Sequence, residues 1–161
     1  ICLLTPRSNQ PRACLTPSTP HYFGFTRCPD ICPAELCKVG AILKALDSPK
    51  NITPVFVSCD PARDSLKALQ DYGKDFHPAI RYLTGTPTLT RAACKAYRVY
   101  YNKADETEDG DYLVDHSIVV YLVQPDGEFS DFFTQSTTVS DCVERTRRKQ
   151  QEWAQGGLPT S

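Results

Sequence analysis

The stretch that most constrains this chain is the one in which a strand hands over directly to a helix through two cysteines. His21-Tyr22-Phe23-Gly24-Phe25-Thr26 reads as a short aromatic-rich strand, and Arg27-Cys28-Pro29-Asp30-Ile31-Cys32-Pro33 follows without a spacer. Pro33 suits the first turn of a helix, where its missing N–H costs nothing. From Ala34 to Leu46, residues Leu36, Val39, Ile42, Leu43 and Leu46 fall on one face, an amphipathic helix with one side to bury.

The rest of the chain repeats that alternation. Pro54 to Cys59 reads as a buried strand running into Asp60-Pro61, with Asp64 as candidate N-cap of a helix through Phe76. Arg81-Tyr82-Leu83 is a brief strand and Thr88 to Tyr97 a helix. Ser117 to Val123 and Glu128 to Phe133 flank Gln124-Pro125-Asp126-Gly127, a hairpin signal, and a last helix runs from Val139 to Trp153. Strand–helix–strand–helix followed by hairpin and helix is the order of a thioredoxin-like α/β fold with a central mixed sheet flanked by helices. Residues 1–20, broken by Pro6, Pro11, Pro17 and Pro20, read as an irregular leader, residues 21–155 as the domain, and 156–161 as a tail.

At 161 residues the chain is long enough for one domain with its own core. A formal net charge of -1 gives no reason to expect a nucleic-acid partner. The longest apolar run, Ile118 to Val123, is far short of the about 20 residues that span a bilayer, so this stretch reads as soluble. The chain starts at Ile1 and contains no methionine, which reads as a processed or truncated product whose targeting or anchoring segment would lie upstream. The same absence leaves thiolate, imidazole and carboxylate as the ligands for any metal site.

Eight cysteines are too sparse for a disulfide scaffold and numerous for a cytosolic protein. Cys28 and Cys32 stand apart because they lie at a helix N-terminus, where backbone N–H groups and the helix dipole favour thiolates. Their spacing of about one helical turn lets both sulfurs face one point. Three intervening residues, against two in the thioredoxin redox motif, slacken disulfide geometry but suit sulfurs that share a metal. Thiolates with an imidazole select Cu(I) or zinc. Inert thiols or a plain structural disulfide remain the alternatives at this level.

Tyr22-Phe23-Gly24-Phe25-Thr26-Arg27-Cys28-Pro29-Asp30-Ile31-Cys32-Pro33 resembles the metal-binding segment of the Sco family (synthesis of cytochrome c oxidase). The likeness continues through Cys59-Asp60-Pro61-Ala62-Arg63-Asp64, Leu83-Thr84-Gly85-Thr86 and Ala96-Tyr97-Arg98-Val99-Tyr100-Tyr101. It closes with Asp111-Tyr112-Leu113-Val114-Asp115-His116-Ser117 and Pro125-Asp126-Gly127-Glu128-Phe129, and is closest to the mitochondrial members. The resemblance implies a thioredoxin-like fold with copper, as Cu(I) and in oxidised form Cu(II), held by Cys28, Cys32 and His116. It implies a site in the mitochondrial inner membrane facing the intermembrane space. The implied partners are cytochrome c oxidase subunit II, whose binuclear copper site is metallated, and an upstream copper donor chaperone. Thiol reduction of that subunit's cysteines is the second role ascribed to the family. A remnant keeping the motif but not the fold is a third reading. Relatives carry a long apolar strand where this chain has Pro17-Ser18-Thr19-Pro20, so the leader is expected to add no strand and to leave the fold weakened.

The remaining candidates have blander readings. His77 falls in a surface loop, and the strand carrying His21 is expected to point its ring away from the cysteines. Asp115 is read as the group that orients His116, with direct ligation of Cu(II) as the bolder alternative. Asp30 is read as an Asx turn. Cys59, alternating with Val55 and Val57, is expected to be a core thiol. Cys37, Cys94 and Cys142 are placed in helices as structural residues, with Cys37 the one nearest the site in sequence. Cys2 and Cys14 lie in the leader. The acidic run Asp105 to Asp111 is read as a solvated loop that could steer a basic partner. Arg145, Arg147, Arg148 and Lys149 are assigned to the helix dipole and solvent.

Overall fold

The computed structural model of the chain describes residues 2–3, 19–46, 52–103, 112 and 114–155, the side chains at 2, 3, 103, 114 and 115 excepted. Its centre is β2 (Thr19–Gly24), buried at every position. Both long edges of β2 are paired: parallel to β3 (Val55–Ser58) from His21 onward, and antiparallel to β7 (Val119–Val123) from Thr19 onward. Beyond β3 lies β4 (Arg81–Thr84), and beyond β7 lies β8 (Phe129–Thr134). A two-residue strand, β1 (Cys2–Leu3), pairs parallel with β4 and completes a six-stranded mixed sheet in the order β1-β4-β3-β2-β7-β8.

Alternation along β2 sorts its side chains between the two faces. Tyr22 is in register with Val120 and Phe56, and these in turn with Phe133 and Tyr82, which gives one continuous apolar row across the sheet. On this side Tyr22 meets Cys32 in α1 (Ile31–Ala45), which also packs against α4 (Val139–Ala154). The neighbouring residue Phe23 turns the other way, to Tyr97 at the end of α3 (Pro87–Ala96) and to Tyr121. Helices on both faces of a mixed sheet with parallel inner strands make a thioredoxin-like fold, as the element order predicts. No helix among the described residues is long and apolar enough to cross a membrane.

Several expectations need correction. The leader is not wholly irregular, since Cys2–Leu3 joins the sheet edge and Thr19 and Pro20 belong to β2. Pro20 is tolerated because pairing with β3 begins only at His21, so a missing donor there leaves that ladder whole. Residues 4–18, with Cys14, lie outside the described residues. The cysteine helix starts at Ile31, before Pro33, so Cys32 sits in its first turn. Ser65, not Asp64, caps α2 (Leu66–Tyr72), its hydroxyl accepting from the Ala68 N–H. Asp64 is buried and turned back toward Ser58 and Thr26. The strand read from Ser117 begins only at Val119, and His116 closes a short strand of its own: β5 (Tyr101–Lys103) and β6 (Val114–His116) form a separate two-stranded ribbon, with Tyr101 opposite His116.

Candidate metal centre

The end of β2, the first turn of α1 and the tip of the β5–β6 ribbon converge on one point. The ligating atoms of Cys28, Cys32 and His116 all lie within 4.8 Å of one another. Among the described residues this is the one grouping of three or more Cys, His, Asp or Glu side chains close enough to share an ion. Cys28 and His116 are each 8% exposed and Cys32 is fully covered, so an ion placed here would be almost stripped of water.

Each donor is held in place by its surroundings. Cys28 is turned inward after Phe25, whose carbonyl accepts its N–H at 3.3 Å, and its sulfur accepts the Cys32 N–H at 3.4 Å. The Tyr22 hydroxyl donates to the Cys32 sulfur at 3.5 Å. His116 Nε2 lies 3.4 Å from Cys32 Sγ, while its Nδ1 is 3.1 Å from the Ser117 carbonyl. That carbonyl can only accept, so Nδ1 carries a proton, and Nε2 is the ring atom turned toward the sulfurs. Phe25 and Tyr22 each meet the imidazole edge-on, at 5.6 and 6.2 Å between centroids.

The two thiols are electrostatically unequal. Cys28 is pushed down to about 4, chiefly because the Cys32 thiol donates to its thiolate, with His116 and the amides of Cys32 and Ile31 adding, against the opposing effect of burial. Cys32 is driven upward by that same Cys28 sulfur and by burial. The metal-free site therefore holds one thiolate and one thiol. Two soft sulfurs and an imidazole nitrogen, closed off from water, fit Cu(I) or zinc and not the hard oxygen-seeking ions.

The other candidates separate cleanly. His21 is buried on the far face, with Nδ1 3.2 Å from the Tyr97 hydroxyl, away from the cysteines as expected. His77 is half-buried and accepts the Ala79 N–H through Nδ1. Cys59, Cys94 and Cys142 are buried free thiols, and Cys37 is an exposed one that is not part of the donor group. Asp30 precedes α1 without a side-chain capping bond, against the Asx-turn reading. His116 Nδ1 meets the Ser117 carbonyl; the Asp115 side chain, with the orienting role read for it, and the acidic run lie outside the described residues. Arg145 pairs with Asp131 and Arg147 donates to the Ala45 carbonyl, which ties α4 to β8 and α1, while Arg148 and Lys149 pair with Glu152 within α4 itself.

Gly24 and Tyr22 were not singled out as site residues by the sequence reading. A glycine within a buried strand is the available signal, since it marks a close approach: a Cβ there would lie 2.6 Å from Cys32 Sγ. Nothing in the sequence foretells the Tyr22 hydroxyl contact.

Comparison with known proteins agrees with this geometry. The SCO1/SenC family profile matches residues 17–151, which include all three donors. The mitochondrial SCO2 homolog of Homo sapiens is 44% identical over 130 residues, covering 79% of this chain and 49% of that protein. Mitochondrial SCO1 of Saccharomyces cerevisiae is 49% identical over 133 residues, covering 78% of this chain and 45% of that protein. The chain thus spans about half the length of the curated relatives it matches. Among solved structures, Arabidopsis thaliana ScoI with copper bound superposes with a TM-score of 0.80 at 40% identity over 88% of each chain. Yeast Sco1 with copper bound gives 0.79 at 41% identity, covering 92% of this chain and 82% of that one. With sequence, fold and donor set in agreement, the chain belongs to the SCO1/SenC family.

Proposed function

We propose that this chain is a copper-binding domain of cytochrome c oxidase assembly, which holds one Cu(I) between Cys28, Cys32 and His116 and passes it to the binuclear site of oxidase subunit II. The observation that carries the reading is the convergence of two buried sulfurs and one imidazole nitrogen, drawn from two separate parts of the chain. Three soft donors suit Cu(I), whereas a structural zinc site closes with four, and no fourth joins them among the described residues. Solved relatives bind copper. Copper is cargo in this reading: it arrives from an upstream donor chaperone and leaves to the oxidase. The mitochondrial relatives support a mitochondrial setting; in this reading the domain sits at the inner membrane, facing the intermembrane space.

Reduction of the oxidase cysteines by Cys28 and Cys32 is the competing role. The lowered Cys28 suits a nucleophilic thiolate, but a redox pair has no need of a distant imidazole, and here one brings its Nε2 to 3.4 Å from Cys32 Sγ. Anaerobic titration of the reduced protein with Cu(I), with ligation read by X-ray absorption, tests the proposal. One copper per chain with two sulfurs and one nitrogen is expected. Unchanged binding in Cys32→Ser overturns it, and brisk disulfide reduction unaffected by His116→Ala favours the oxidoreductase.

A further inference from the structure

The third donor is the least anchored by the main sheet. His116 ends β6, which pairs only with β5 in a ribbon outside the six-stranded sheet, and a two-stranded ribbon is marginal by itself. Something else must hold the imidazole over the cysteines.

The segment 58–65 after β3 is bonded to both halves of the site. On the cysteine side, Thr26 donates to Asp64 from its N–H at 3.2 Å and its hydroxyl at 2.6 Å, and the Cys59 N–H donates to the Gly24 carbonyl at 2.8 Å. On the histidine side, Arg63 donates from Nε to the Asp60 carboxylate and from Nη1 to the Tyr112 carbonyl at 2.7 Å. The Tyr112 hydroxyl closes the ring by donating to the other Asp60 oxygen at 2.7 Å. The guanidinium lies flat over the Tyr112 ring, 3.6 Å from its centroid, and 5.7 Å from that of Phe25, whose ring meets His116 edge-on. With the Arg63 and Asp60 side chains only 11% and 5% exposed, this network is sheltered from water and correspondingly strong.

We propose that Arg63, acting with Asp60 and Tyr112, is a positioning residue that holds His116 over the cysteine pair, so that the site closes with three donors instead of two. The proposal rests on the metal-binding reading above. The planar guanidinium is essential to it: one fork reaches a carboxylate and a carbonyl while its face stacks on a ring, and a lysine ammonium cannot do all three. Groups that orient a metal ligand in this way are worth about 10–100-fold in affinity.

Arg63→Lys and Tyr112→Phe, both conservative, are compared with wild type and with His116→Ala. In metal-free protein, hydrogen exchange at the Ser117 amide, which bonds to the Tyr100 carbonyl beside His116, should quicken about tenfold or more, while exchange at Phe56 in the central sheet stays unchanged. With Cu(I), Arg63→Lys should still bind one ion through sulfur but lose the nitrogen signal and about 10–100-fold in affinity, and Tyr112→Phe should move the same way. Wild-type nitrogen ligation and wild-type Ser117 exchange in both variants would overturn the proposal, as would equal acceleration at Ser117 and Phe56, which marks general destabilisation. If wild-type protein bound no copper, the metal reading would fall, and the metal-free exchange would still decide whether the clasp holds the ribbon.

Discussion

Gly24 and Cys32 are so close that the site depends on the absence of a side chain: a methyl group on Gly24 would stand 2.6 Å from the Cys32 sulfur. The same methyl would press on Phe56 and Tyr22 at 3.0 and 3.1 Å, so it meets three side chains at once.

Gly24→Ala should therefore damage the site more than the fold. Overpacking of this kind costs about 1–3 kcal/mol of stability, and the displaced sulfur should lower metal affinity by about tenfold or more. Denaturant unfolding of the metal-free protein together with Cu(I) competition titration separates the two effects. Wild-type affinity in Gly24→Ala would show that the sulfur relaxes freely.

The unequal thiols set a proton count. Cys28, at about 4, is already a thiolate at neutral pH, whereas Cys32 is held protonated above its ordinary range. Metal binding needs both as thiolates, so loading should release about one proton per copper, not two. Affinity should accordingly rise about tenfold per pH unit between pH 7.5 and 9. Calorimetry in two buffers of different ionisation heat measures the count. Oxidation to a Cys28–Cys32 disulfide should abolish loading, and a thiol reductant should restore it.

Much of this site is legible in the residues because its ingredients are local: a strand, a helix that follows it directly, and two cysteines at their junction, Cys28 in the loop and Cys32 in the first helical turn. The position of His116 is not local, since Cys32 and the imidazole meet across 84 residues, and only the family resemblance located it. The strand limits around it were misread because Ser117 to Val123 is a continuous β-favouring run. In the structure Ser117 bonds back to Tyr100 through its N–H and its hydroxyl, which ends the ribbon before β7 begins. The Pro20 misreading has a similar origin: sequence shows the missing donor, but not that β3 starts one residue later.

Arg98 is strained for a reason that can be relieved. It follows α3 with φ of 53°, while its N–H reaches the Lys95 carbonyl and the Val99 N–H reaches that of Cys94. These two bonds form a Schellman cap, whose left-handed position normally takes glycine. Arg98→Gly should raise stability by roughly 0.5–1 kcal/mol by removing the Cβ crowding. Thermal unfolding checks this, and a lower melting temperature would show that the arginine side chain outweighs its backbone cost.

His21 should make the fold acid-sensitive. Burial lowers it to about 4 from an ordinary 6.5; its Nδ1 faces the Tyr97 hydroxyl and its Nε2 has no hydrogen-bond partner among the described residues. A proton on this ring would be shut away from water in the folded state and freely solvated in the unfolded one. Between about pH 6.5 and 4 the unfolded chain thus binds more protons, so stability must fall as pH falls through that window. The contribution is complete above pH 6.5 and amounts to at most about 3 kcal/mol. Denaturant unfolding of metal-free protein at pH 7, 5.5 and 4.5 should show the decline. His21→Gln keeps an amide that can face Tyr97 but removes the titration, so it should lower stability at pH 7 and flatten the slope below pH 6.5. A slope identical to wild type in that variant would assign the acid sensitivity to other groups.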